Sequence, residues 1–200
     1  MKKFLVRILC CFVPGTTNRR WLRKKLLPPD MSWLGRHSYV GNRFTRARPD
    51  TTVGAFCSIG ANVALGPSQH PSNWLSTAPF QYVDYKRIIP NQKLYKYSFE
   101  PVTVGNDVWI GNNVIVKDGV KIANGCIIGS NVVVTHDTPP YAIMGGVPAR
   151  VIKYRFSPTI IKQLEKLRWW DLPDEVIAKL PFDDINKCIK KLQEIRKKMK

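Results

Sequence analysis

Residues 102–134 read V-T-V-G-N-D-V-W-I-G-N-N-V-I-V-K-D-G-V-K-I-A-N-G-C-I-I-G-S-N-V-V-V, and every sixth residue from Val104 is aliphatic: Val104, Ile110, Val116, Ile122, Ile128 and Val134. Two places before each stand Val102, Val108, Val114, Val120, Cys126 and Val132. A helix would need a 3.6-residue period, which this stretch lacks. Residues two apart on a strand point to the same side, so each pair aims inward. The repeat predicts a coil of short strands whose turns stack, because one turn alone cannot bury its inner face. Gly, Asn and Asp between the strands supply tight corners, where positive φ is open to Gly and tolerated by Asn. Upstream, Val53-Gly54, Ile59-Gly60 and Leu65-Gly66 keep the rhythm, with Val40-Gly41 as an outlying coil.

The 35 residues 67–101 interrupt the repeat. A loop that long in a compact domain is usually functional or mobile. It opens P-S-Q-H-P-S-N-W-L-S-T-A-P-F over 67–80, and R-W-W-D-L-P-D-E follows much later, over 168–175. Together with V-x-V-G-N-D-V-W-I-G-N-N-V-I-V (102–116) and I-I-G-S-N-V-V-V-T-H-D-T-P-P-Y-A-I-M-G-G-V-P-A-R-V-I (127–152), these stretches resemble the hexapeptide-repeat acyltransferases. The match is to the xenobiotic and polysaccharide O-acetyltransferase subfamily, whose H-P-x-x-W-x-S-x-x-P-F pattern is met at His70, Pro71, Trp74, Ser76, Pro79 and Phe80. The resemblance implies a mainly β fold, a left-handed parallel β-helix, usually as a homotrimer. It also implies acetyl transfer from acetyl-CoA to a hydroxyl.

That chemistry needs little machinery. The thioester is already activated, and one general base suffices to take the hydroxyl proton and return it to the leaving thiolate. Histidine suits that task near neutral pH. By resemblance, His70 is the base, and Trp74, Ser76 and Phe80 of its loop meet the acceptor. A histidine in a loop, read without the motif, is more often solvated or structural. The same resemblance puts acetyl-CoA against Trp109, Asn112, Ser130, Thr135 and His136, with Arg150 and Lys153 near its phosphates. Guanidinium N–H groups match phosphate oxygens. Trp109 equally reads as a cap on the coil, and Arg150 and Lys153 as solvated charge. At His136 the chain departs from the lysine that many relatives carry. His37 reads as structural. No metal is expected, since His37, His70 and His136 share no motif that would converge on zinc.

Three parts are expected: a basic amphipathic segment over 1–35, the acyltransferase β-helix over 36–153 with its catalytic loop 67–101, and a helical segment over 154–200. In the last, Ser157-Pro158 reads as an N-cap with proline at the first helical position. Ile160, Ile161, Leu164 and Leu167 continue as a stripe, and Ile185, Ile189, Leu192 and Ile195 form another.

The 200 residues carry a net charge of +18 with 44% hydrophobic residues, which excludes a disordered chain. The charge is unevenly spread. Residues 1–48 hold twelve Lys/Arg against the single acid Asp30, and residues 187–200 hold seven against Glu194, while the span between is almost neutral. The basic amphipathic start argues for an anionic membrane surface over nucleic acid as a partner, with a helix packed on the domain as the other reading, and the terminal basic run reads as a solvated, frayed end. No apolar run reaches the roughly 20 residues of a membrane span. Residues 2–13 imitate a signal peptide, but Arg7 interrupts the apolar part and no A-x-A site follows. A cytoplasmic enzyme, peripheral at the inner face of the membrane, is the expectation. Five cysteines without a C-x-x-C point to buried free thiols.

The leading expectation is an O-acetyltransferase acting on a cell-surface glycan or sugar intermediate. An antibiotic-inactivating enzyme of streptogramin or chloramphenicol type shares the His70 loop. A non-catalytic β-helical scaffold that binds a polyanion is the reading from another class.

Overall fold

The computed structural model describes residues 32–199 apart from 43, 49, 79 and 81–99. Chain contacts separate two units, Met1–Leu34 and Gly35–Lys200. The basic amphipathic segment expected over the first 35 residues lies, up to residue 31, outside the described residues. The strands and helices among the described residues belong to the second unit.

The six-residue period becomes a stack of two-residue strands: β1 Tyr39–Val40, β2 Arg46–Ala47, β3 Thr52–Val53, β4 Ser58–Ile59, β5 Ala64–Leu65, β6 Thr103–Val104, β7 Trp109–Ile110, β8 Ile115–Val116, β9 Lys121–Ile122, β10 Ile127–Ile128 and β11 Val133–Val134. Two longer strands, β12 Ala142–Gly145 and β13 Arg150–Tyr154, close the coil. Strands three apart in order pair in parallel, so the coil has three faces. The first holds β3-β6-β9, the second β1-β4-β7-β10-β12-β13, and the third β2-β5-β8-β11. Only the last pair, β12 with β13, is antiparallel. This is the parallel β-helix that the repeat predicts, and Val40 does belong to an outlying coil.

Register explains the repeat. On the second face Ile59, Ile110, Ile128 and Met144 stand directly above one another, at most 5% exposed. Leu65, Val116 and Val134 do the same on the third face, and Val53, Val104 and Ile122 on the first. All twelve residues of the two sequence registers are buried. Each aliphatic column is therefore one continuous side of the core, and burying each such side chain contributes roughly 1.5–3 kcal/mol.

The corners are as regular as the faces. Asn42, Asn62, Asn113 and Asn131 form a ladder in which each amide nitrogen donates to the next carbonyl at 3.1 Å. Asn62, Asn113 and Asn131 have φ of 58°, 57° and 61°. Asparagine thus supplies both the left-handed corner and the rung that ties one coil to the next. Gly111 serves a different need: a Cβ there would lie 2.7 Å from the backbone nitrogen of Ser130 in the next coil. Its small size, rather than its φ, lets the coils approach.

The C-terminal part packs against the coil. Helix α1 (Pro158–Leu167) is capped by Ser157 and ended by Arg168 in the left-handed region. A 3-10 turn, Trp169–Asp171, leads to α2 (Asp174–Ile177) and then to α3 (Ile185–Lys198), capped by Asp184. Tyr141 of the coil shares a buried cluster with Leu164, Leu167, Leu172, Ile177, Leu180, Cys188, Ile189 and Leu192. The Arg36 guanidinium clamps this region to the first coil. It donates to the carbonyls of Trp170 at 2.6 Å and Leu172 at 2.5 Å, and to the Asp174 carboxylate. Phe56 stacks between His37 and Trp169, with ring centroids 4.9 and 4.8 Å away. Arg155 makes a second tie, to Asp107 at 2.9 Å and to the Gly125 carbonyl at 2.8 Å.

Candidate active site

The excursion that carries His70 leaves the coil after β5, at the corner between the third and first faces. Stacking fixes that corner: Gly66 donates to the carbonyl of Val116, and Lys117 to that of Val134. The Gln69 side-chain amide donates to Asp118 in the next coil, which pins the start of the loop. His70 and Pro71 follow at once, with Pro71 buried and His70 exposed.

The imidazole is oriented by its own loop. His70 Nδ1 lies 2.7 Å from the carbonyl oxygen of Thr77. A carbonyl only accepts, so Nδ1 carries a hydrogen and Nε2 is the nitrogen that can act as a base. The Ser76 hydroxyl accepts from the backbone N–H of Ala78 at 3.1 Å, tightening the turn that presents the Thr77 carbonyl. Ser76 therefore shapes the loop. Trp74 and Phe80 are half-buried beside it, whereas Leu75 is fully exposed. Thr77, Gln69 and Asp118 had no signal in the sequence. Thr77 acts through a carbonyl that every residue possesses, and the other two meet only through coil stacking.

Two coil spacings along the same corner, about 10 Å at 4.8 Å per strand, stand Thr135 and His136. Thr135 Oγ1 lies 2.9 Å from His136 Nδ1. The fold thus brings His70, Thr135 and His136 to one edge. The other residues expected around acetyl-CoA gather elsewhere. Trp109, 56% exposed, points outward from the second face. The strand register continues its row through Ile127 and Ile143 to Lys153, about 14 Å away across three strand spacings. Arg150, also on β13, is exposed and turns one N–H to the Ala149 carbonyl. Asn112 and Ser130 stack at the corner between the second and third faces. There Asn112 Oδ1 accepts from the Ala61 N–H at 2.8 Å, and Ser130 Oγ accepts from the Asn112 N–H at 3.1 Å. Their acceptor atoms hold coils together, which leaves the amide and hydroxyl hydrogens for any ligand.

The outward rows differ in character. Thr52, Thr103 and Lys121 on the first face are polar and exposed. Ala64, Ile115 and Val133 on the third face and Trp109, Ile127 and Ile143 on the second are largely apolar. His37 binds Asp174 at 2.8 Å, far in sequence from His70. Among the described residues no three metal-ligating side chains converge. Burial pushes the Cys57 thiol up to about 11, and raises that of Cys126.

Comparison with known proteins accords with this architecture. Residues 101–136 match the family described as bacterial transferase hexapeptide (six repeats). The chain is 38% identical over 134 residues to a chloramphenicol acetyltransferase of Morganella morganii, a match covering 65% of this chain and 64% of that protein. It is 36% identical over 137 residues to a probable macrolide acetyltransferase of Lysinibacillus sphaericus, covering 66% and 73% respectively. A galactoside O-acetyltransferase of Escherichia coli strain K12 is 33% identical over 121 residues, covering 60% and 52%. The chain thus spans a little under two thirds of the chloramphenicol acetyltransferase it matches. The buried six-residue columns, the stacked asparagine corners and these relatives together place the chain in the hexapeptide-repeat acyltransferases, in the xenobiotic and polysaccharide O-acetyltransferase subfamily.

Proposed function

We propose that the protein is an acetyl-CoA-dependent O-acetyltransferase with His70 as its general base. The single observation that carries this reading is the His70–Thr77 contact, in which the carbonyl takes the Nδ1 hydrogen of an exposed imidazole and makes Nε2 the nitrogen that can serve as base. Acetyl-CoA supplies an activated acetyl group. His70 Nε2 takes the proton of an acceptor hydroxyl as its oxygen bonds to the acetyl carbon. When the C–S bond breaks, the imidazolium returns that proton to the CoA thiolate, so an ester and free CoA result.

The residues present suit such a co-substrate. Arg150 and Lys153 are exposed cations on one strand beside an apolar outward row, a setting for phosphates at one end and a pantetheine chain along the coil. His70 and this cationic strand occupy different edges of the coil, which favours a homotrimer in which neighbouring subunits complete each site. Trp74 and Phe80 line the acceptor side.

The acceptor is a hydroxyl of a glycan or sugar intermediate in this reading. The relative named galactoside O-acetyltransferase supports a sugar, while those named for chloramphenicol and macrolides support the antibiotic-inactivating alternative. CoA release from acetyl-CoA, measured with nucleotide sugars, lipid-linked oligosaccharides and phenicol, macrolide or streptogramin drugs, separates them. Turnover with a drug but no glycan overturns the glycan assignment. No turnover with any hydroxyl acceptor, and no binding of CoA, would leave the polyanion-binding scaffold in its place.

A further inference from the structure

Helix α3 carries two opposite faces. Cys188, Ile189 and Leu192 are buried against the C-terminal core, and Ile185 and Ile195 pack partly against it. At 100° per residue, Lys187, Lys190, Lys191, Glu194, Lys197 and Lys198 fall within an arc of about 120° on the other side. All six are exposed. Lys179 and Pro181 join Lys187, Lys190, Lys191 and Glu194 around a shallow depression at the start of this face. Two of the lysines have acidic neighbours, Lys187 with Asp184 at 3.3 Å and Lys191 with Glu194 at 3.7 Å, and both keep more than half of their side chains in solvent.

Lys197 and Lys198 lie in the last turn, where cations suit the helix dipole, but the spacing of the earlier lysines does not favour the helix. Lys187 and Lys191 are four residues apart, Lys187 and Lys190 three, and like charges at those spacings destabilise a helix. A second copy of the same face would meet it with the same charge. Its composition separates the remaining polyanions. The one arginine of the helix, Arg196, turns away to donate to the carbonyls of Leu167 and Arg168. The face therefore lacks the guanidinium fork that reads phosphates and base edges in pairs. It also lacks an aromatic ring on which bases would stack. Lysines on a straight helix of 14 residues, about 21 Å long, form a flat array of point charges. Such an array matches a plane of anionic headgroups.

We infer that the lysine face of α3 docks the protein on an anionic lipid surface. The inference is independent of the acetyltransfer reaction, since none of these lysines belongs to the candidate site. Each lysine held near such a surface strengthens binding by about fivefold.

The full chain is mixed with phosphatidylcholine vesicles containing about a third phosphatidylglycerol, and with phosphatidylcholine alone, at low and at high salt. Preferential flotation with the anionic vesicles, weakened by salt, is expected. The combined substitution Lys187→Gln, Lys190→Gln, Lys191→Gln and Lys197→Gln should lower that partition roughly 600-fold, with an unchanged circular dichroism spectrum and unchanged CoA release. Equal partition of the quadruple variant and the parent overturns the inference, as does equal binding to neutral vesicles. A DNA duplex held more tightly than the anionic vesicles assigns the face to nucleic acid instead. A quadruple variant that fails to fold is replaced by Lys190→Gln and Lys197→Gln together, for which a loss of roughly 20-fold is expected and no loss is fatal.

Discussion

The carbonyl oxygen of Thr77 lies 2.7 Å from Nδ1 of His70, seven residues earlier in the same loop. That contact places a hydrogen on Nδ1, so the loop orients its own histidine. Replacing His70 with Ala or Gln is expected to lower kcat by roughly 10²–10⁴. The melting temperature should barely move, because the side chain is exposed. CoA release followed at saturating acetyl-CoA checks this, and undiminished turnover would remove His70 from the mechanism.

Lys153 stands at the exposed edge strand on the row that runs through Trp109. If it meets a CoA phosphate, Lys153→Ala should raise KM for acetyl-CoA by about 5- to 20-fold while kcat changes little. A fall in kcat with constant KM would place the residue elsewhere in the reaction. Initial rates over a range of acetyl-CoA concentrations decide between them.

Asn113 answers two demands at once, a φ of 57° and a rung of the amide ladder. Asn113→Ala loses both and should cost about 2–3 kcal/mol. Asn113→Gly keeps the corner and loses only the rung, so it should cost about 1 kcal/mol less. Urea unfolding of the two variants separates backbone strain from the lost hydrogen bonds.

Arg36 reaches two carbonyls and one carboxylate from a single guanidinium. Lysine keeps the charge but cannot span the three acceptors. Arg36→Lys is expected to destabilise the protein by about 1–3 kcal/mol. Hydrogen exchange should show the 168–177 segment opening first, while the coil around Ile110 stays protected.

Cys57 is fully buried, and burial pushes its thiol from 9.0 up to about 11. The folded value lies above the unfolded one, so its contribution is complete below pH 9 and is lost as pH rises through 11. Stability of the parent relative to Cys57→Ala should fall by roughly 3 kcal/mol across that window. At pH 8 iodoacetamide should leave Cys57, Cys126 and Cys188 unmodified in the native protein, all three being buried. Peptide mapping by mass spectrometry reads both the sites and the extent.

Much of the coil was legible because one period carries both packing and position. Val102 through Val134 announce two inward registers, and a side chain on the same face of the next turn must land directly over the last when each turn has three short strands. The Ser157 cap and the stripe ending at Leu167 were legible for the same kind of local reason. The clamp of Arg36 was not. Its partners, Trp170, Leu172 and Asp174, lie more than 130 residues away, and two of the three contacts use backbone oxygens that no side-chain pattern encodes.

The candidate site divides in the same way. The sequence by itself determined the repeat, the corners, the capped helices, and the loop that carries His70, because each of these depends on neighbours one or a few residues away. Only the tertiary structure decided which nitrogen of His70 is basic. It also decided that Asn112 and Ser130 spend their acceptors on stacking, and that Trp109 and Lys153 share a face from which His70 is absent. Those facts depend on which coils lie against each other, and coil stacking is set by long-range packing once the 35-residue excursion has been spanned.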